Sequence, residues 1–364
     1  MTRRCRSWAN VSALCFLALV AALAGGADAQ PNTQQFAVGA DVSFLASAEQ
    51  QGIVFKENGQ PKDALTILRE HHFNWVRLRI FHDPDASADK LPNDLAYTLA
   101  LAKRAKAQGF RLLLDFHYSD TWADPGKQFT PQAWKGLKHR QLAEQIFTYT
   151  RDTIAAFRDA GVLPDMVQTG NEITGGMDWP DGKLPDNWDN FADLLKAAIR
   201  GVDEGRGSGH RIAIMIHIER SGDPKGAIWF FDKLNSYNLS YDVIGLSYYP
   251  KWHGSIAALR QTLHDLSFRY RKPIIVVETA YNWTPGDFVG KKADFPESPE
   301  GQKEFLQAVD AAVRSTPGGL GRGVFWWEPA VADGSIAGRA LFDDKHNALP
   351  ALTVFDQRQA LQSR

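Results

Sequence analysis

Two glutamates close two apolar runs. Glu172 follows Asn171 at the end of Met166-Val167-Gln168-Thr169-Gly170, and Glu278 ends Ile274-Ile275-Val276-Val277. Cleavage of a glycosidic bond by double displacement needs two such carboxyl groups, one protonated to act as an acid and one ionised to attack. Either glutamate alone reads as a strand-end residue salt-bridged to a neighbour; the pair, on separate strands, points to sugar chemistry. Glu172 is the candidate acid, and Asn171 beside it can donate to a sugar hydroxyl next to the reacting carbon. Glu278 is the candidate nucleophile and has to stay ionised, which calls for cationic, hydrogen-bonding surroundings. Arg77 and Arg79 stand two apart and so share one face of their strand, from which an arginine can grip a carboxylate with paired hydrogen bonds. Tyr248 or Tyr249 offers a hydroxyl to the same group. His117 reads as a sugar ligand, an orienter of the acid or a structural histidine. Asp41 reads as a hydroxyl ligand or a helix cap. Trp326 and Trp327 are neighbours on one run and point to opposite faces, so one enters the site and the other is core.

The elements that must carry these residues alternate. Strand-length apolar runs fall at 36–42, 74–80, 110–116, 165–170, 211–218, 242–248, 273–279 and 323–327, with helical 3.6-residue spacing between them, as in Leu95-Leu99-Ala102-Ala105. Near-continuous apolar strands indicate burial on both faces, as in a parallel sheet covered by helices. Eight repeats of strand and helix predict a single α/β domain, a closed (β/α)8 TIM barrel over residues 30–364. The longest irregular segments, 119–136, 174–187 and 282–299, each follow a strand. They therefore belong to the carboxyl-terminal face where barrel sites form, and the tryptophans Trp122, Trp134, Trp179 and Trp283 suggest shaped binding loops.

Composition narrows the partners. A formal net charge of −1 leaves no footprint for nucleic acid or an anionic membrane. Eleven tryptophans suit stacking on sugar rings, although a tryptophan-rich core accounts for most of them. Residues 1–29 read as a signal peptide: Arg3, Arg4 and Arg6, an apolar run from Val11 to Leu23, then Ala27-Asp28-Ala29 before cleavage near Gln30. The expectation is an exported monomer, periplasmic or extracellular, with no membrane contact after cleavage. Both cysteines, Cys5 and Cys15, fall in the leader, so the mature chain has no disulfide, thiol nucleophile or cysteine metal site. No nucleophile elbow, dinucleotide fingerprint, P-loop or metalloprotease spacing is present, and no cofactor is expected. Asp343-Asp344 is a candidate for helping to hold calcium, weighed against ordinary surface charge.

Several segments resemble glycoside hydrolase family 53, the arabinogalactan endo-β-1,4-galactanases. They include Leu114-Asp115-Phe116-His117-Tyr118-Ser119-Asp120 with Trp122-Ala123-Asp124-Pro125, Gly170-Asn171-Glu172-Ile173-Thr174, Trp179-Pro180-Asp181-Gly182, Ser247-Tyr248-Tyr249-Pro250 with Trp252-His253-Gly254, Val277-Glu278-Thr279, and Phe325-Trp326-Trp327-Glu328-Pro329. The resemblance implies Glu172 as acid and base, Glu278 as nucleophile and β-1,4-galactan as the polysaccharide substrate. It adds Trp179, Asp181, Trp252 and His253 to Asp41, Arg77, His117, Asn171, Tyr248 and Trp327 as substrate-binding positions. Phe81-His82-Asp83-Pro84 departs from the family's Trp-Asn-Asp-Pro-like stretch, and a changed sugar contact is expected there.

Overall fold

The computed structural model describes residues 35–356 apart from 291, 333 and 335. The expected leader, with Cys5 and Cys15, lies outside the described residues. Eight parallel strands close into a barrel: β1 Ala37–Asp41, β2 Trp75–Ile80, β3 Arg111–Phe116, β4 Met166–Thr169, β5 Ala213–Ile218, β6 Val243–Tyr248, β7 Ile274–Thr279 and β8 Gly321–Trp327, with β8 paired to β1. Each expected strand is present, its ends moved by no more than two residues.

Among the described residues, besides the short helices Leu45–Gln50 and Pro250–His253, seven helices fill the connections: α1 Ala64–Glu70, α2 Leu95–Ala107, α3 His139–Asp159, α4 Trp188–Arg206, α5 Pro224–Asn235, α6 Ile256–Tyr270 and α7 Pro299–Arg314. After β8 a short 3-10 turn, Pro350–Val354, takes the eighth place and packs on α7. Local chemistry starts these helices where they start. Asp63, Asp94, Asp223, Ser255 and Ser298 each accept the backbone N–H three residues on, satisfying a donor that the first turn leaves unpaired. No helix among the described residues is long and apolar enough to cross a membrane.

The barrel is filled, not hollow. Trp75, Leu113, Met166, Met215, Val277 and Phe325 form a buried cluster in its lower half. Gly39 is required by that filling: a Cβ there would stand 2.1 Å from the Phe325 ring, which close-packed interiors do not tolerate. Toward the carboxyl ends the inward side chains turn polar, and Arg79, Asp115 and Gln168 lie level across β2, β3 and β4. The long irregular segments 119–136, 174–187 and 282–299 all leave this same face.

Candidate active site

Above the apolar filling opens a cleft of about 740 Å³, and both Glu172 and Glu278 line it. Glu278 sits near the end of β7. Arg77 reaches across from β2, its Nη2 2.7 Å from Glu278 Oε1, and the Tyr249 hydroxyl donates to Oε2 at 3.1 Å. Arg77 is itself fixed on every side. It donates to Asp41 Oδ2 at 2.7 Å, Asp115 Oδ2 at 2.7 Å, Asn171 Oδ1 at 2.9 Å and Gln168 Oε1 at 3.3 Å. Burial works against an ionised Asp115, but Arg77 and then His117 hold its pKa below the usual carboxylate value. Burial raises Glu278, and the guanidinium pulls it back toward the ionised form.

Glu172 is placed by an abrupt turn. The chain leaves β4 through Gly170 at φ +95° and reaches Glu172 at φ +49°, a left-handed conformation that is costly for a residue with a Cβ and concentrates at functional sites. The one hydrogen bond its carboxyl makes among the described residues comes from Ser247 Oγ to Oε1, at 2.6 Å. Burial, and next the charge of Glu278, push its pKa well above the carboxylate range. Between the two pKa values, the cleft holds a protonated carboxyl facing an ionised one.

Six of the expected binding residues line this cleft: Arg77, His117, Asn171, Trp252, His253 and Trp327. His117 is held as one tautomer. Its Nδ1 accepts the Ala123 N–H at 3.0 Å, leaving Nε2–H for Asp115 at 3.1 Å. Asn171 spends its Oδ1 on Arg77 and one Nδ2 hydrogen on Ala123 O at 2.8 Å, which leaves the other hydrogen for a ligand. His253 accepts the Tyr249 N–H at 2.9 Å, and burial followed by Arg220's charge lowers its pKa to about 4. Trp252 is 59% exposed. Around it Lys251 and Arg339 both reach Asp287, tying together the loops after β6, β7 and β8. Of the Trp326-Trp327 pair, Trp326 is core and Trp327 faces the cleft beside Trp122.

Four expectations are corrected. Asp41 is fully buried outside the cleft lining, its oxygens taken by Arg77 and by Ser43, so it braces the arginine. Tyr248 is core, with its hydroxyl on Gly254 O at 2.8 Å, and Tyr249 takes the place on Glu278. Trp179 and Asp181 stand off the cleft. The indole N–H bonds Gly175 O at 2.7 Å, and Asp181 pairs with His139 at 2.7 Å, so both brace their own loop. The divergent Phe81-His82 stretch does not line the cleft either: Phe81 is buried edge-on to His117, and His82 packs on Trp134 and Tyr149. Asp343 caps its own turn, accepting from the backbone of Lys345 and Asn347. Among the described residues no three acidic, histidine or cysteine side chains gather as a metal site.

Trp122, one of the tryptophans expected in a binding loop, lines the cleft wall; sequence reasoning passed over Glu219, Arg220 and Arg339 in that wall, and Gln168, His217 and Ser247 behind it. His217 and Ser247 had one signal, a lone polar residue inside an otherwise apolar strand.

Comparison with known proteins agrees with this geometry. The profile described as glycosyl hydrolase family 53 matches residues 37–355. An arabinogalactan endo-β-1,4-galactanase of Cellvibrio japonicus is 37% identical, covering 93% of this chain and 94% of its own. The family 53 catalytic domain of Ignisphaera aggregans superposes with a TM-score of 0.80 at 36% identity, over 88% of this chain and 95% of that one. A fungal β-1,4-galactanase structure gives 0.78 at 32% identity, over 88% and 99%. Xylanases and a mannanase at 13–15% identity share the barrel alone. The chain belongs to glycosyl hydrolase family 53 and is a glycoside hydrolase.

Proposed function

We propose that this hydrolase is an exported endo-β-1,4-galactanase that cuts galactan, including type I arabinogalactan, by double displacement. The observation that carries the reading is the unequal company of two carboxyl groups on one cleft, Arg77 beside Glu278 and a lone hydroxyl on Glu172. A Glu278 oxygen attacks the anomeric carbon while Glu172 gives its proton to the departing glycosidic oxygen, leaving a covalent galactosyl-enzyme. Glu172, now ionised, takes a proton from water as that water attacks the same carbon, and Glu278 leaves with the configuration retained. The free Nδ2 hydrogen of Asn171 binds the hydroxyl next to the reacting carbon. The linkage is supported by the names of the relatives, export by the leader-like residues 1–29.

The test is product analysis on unbranched β-1,4-galactan, with mannan, xylan and β-glucan in parallel. The expected result is a ladder of galacto-oligosaccharides from galactan alone, with the β-anomer seen first by proton NMR. Cleavage confined to another polymer would overturn the substrate, and an α-anomer appearing first would overturn the double displacement.

A further inference from the structure

Behind Glu172 runs a file of hydrogen bonds that the two-carboxylate chemistry leaves unused. His217, on β5, is fully buried. Its Nε2 is 2.8 Å from Ser247 Oγ, and that oxygen is 2.6 Å from Glu172 Oε1. At the far side of the ring, Nδ1 lies 2.9 Å from Gln168 Nε2 and 3.0 Å from Asn171 Oδ1.

A carboxylic acid has two oxygens, and a proton on the one turned from the leaving group is of no use to it. Oε1 of Glu172 meets Ser247; Oε2 has no protein partner among the described residues. If Ser247 donates, Oε1 is occupied and the acid's proton belongs on Oε2. If Ser247 accepts, the proton is drawn to Oε1. A serine hydroxyl has one hydrogen, so its other neighbour decides. An Nε2–H on His217 leaves the serine hydrogen for Glu172, whereas a bare Nε2 claims it.

The surrounding amides favour Nε2–H. Gln168 is oriented by Arg77 Nε on its oxygen at 3.3 Å and by its own Nε2 on Asp115 Oδ1 at 2.6 Å, which leaves its second hydrogen for His217 Nδ1 at 2.9 Å, the nearest of three acceptors that include Asn171 Oδ1 at 3.1 Å and Gly170 O at 3.3 Å. Asn171 Oδ1 already accepts from Arg77 Nη2. The charged or titratable groups facing the ring are Arg77, Asp115, His117 and His253; burial, then Arg77, keep the imidazole neutral.

We propose that His217 and Ser247 are positioning residues: protonated on Nε2, His217 turns Ser247 into a fixed donor to Glu172 Oε1, so that the catalytic proton rides on Oε2. The same donor steadies the carboxylate once the proton has left, and one arrangement serves both halves of the turnover. The inference rests on Glu172 being the acid and base of a galactanase.

Two measurements test it. Nitrogen NMR of histidine-labelled protein, with His217 assigned by loss of its signals in His217→Gln, is expected to show Nε2–H and a bare Nδ1 from about pH 5 to 8. The opposite tautomer would overturn the proposal. Ser247→Ala and His217→Leu are then compared on galactan and on a dinitrophenyl galactobioside, whose leaving group needs no proton. On galactan kcat is expected to fall about tenfold or more with KM nearly unchanged, while the first release of dinitrophenol stays within about twofold of the parent. His217→Gln, which keeps an N–H toward Ser247, is expected to recover most of the galactan rate. Equal losses on both substrates, or none on galactan, would overturn it. A parent protein inactive on both would overturn the galactanase reading instead, and the NMR result would still decide for or against the hydrogen-bond file.

Discussion

The two walls of the cleft treat the same side chain in opposite ways. On one, Glu278 joins a buried ion cluster in which Arg77 answers Asp41 and Asp115 as well. On the other, Glu172 has a serine hydroxyl and, behind it, a neutral imidazole. Burial raises both pKa values, and among the described residues only Glu278 has a guanidinium against its carboxyl to bring it back. The proposed acid and nucleophile thus differ in what stands behind each glutamate, not in residue type.

The severest way to test that contrast is Glu278→Ala, which should cut galactan turnover on the order of 10⁵-fold or more. Azide should restore part of the rate on an activated galactoside and give the α-azide; no rescue would remove Glu278 from its role. Glu172→Gln should lower galactan turnover roughly 10²–10⁴-fold. Its stability should move the other way. Because the folded pKa of Glu172 lies above the unfolded one, its contribution to stability is complete below the unfolded value and is lost as pH rises toward the folded value. Glutamine escapes that loss, so its Tm at neutral pH should equal or exceed the parent's, with any gain shrinking in acid. A lower Tm at neutral pH would break the comparison.

Arg77→Leu strips the cation from three buried carboxylates. It should cost roughly 3–5 kcal/mol in urea unfolding, partly regained in acid as those groups take up protons. The smallest effect is expected from Tyr249→Phe, which removes one donor to Glu278. The acid limb of kcat/KM, set by ionisation of Glu278, should move up by about one pH unit, because the lost hydrogen bond favoured the charged form. An unmoved limb would mean that Arg77 alone holds Glu278 ionised.

The barrel was legible because burial on both faces leaves apolar runs that no loop imitates, and the two glutamates were legible because they end such runs. Parity failed where strands stop being regular. The pairing of β6 with β7 shifts register between Leu246 and Ser247, so counting alternate residues did not tell Tyr248 from Tyr249. Trp179 and Asp181 failed for another reason: the course of a loop depends on contacts such as Asp181 with His139, which local spacing does not encode. Asp41 was placed at the correct strand end, but its partner Arg77 lies 36 positions away in the chain. His217 and Ser247 stood as single polar letters in apolar strands, where only three-dimensional neighbours show a shared line to Glu172.

Phe325 and the absent side chain of Gly39 have a consequence for anyone wishing to redesign this protein. The floor under the cleft is a locked plug: bulk added at residue 39 has nowhere to go, and the ring displaced would disturb every strand that leans on it. The rim is tied more lightly: Lys251 and Arg339 reach Asp287 through their side chains, and Trp283 bonds the backbone of Ala337 and Gly338, which fastens the loops over β6, β7 and β8 to one another. New specificity should therefore be sought by exchanging those loops together with their fastenings, on a foundation left untouched.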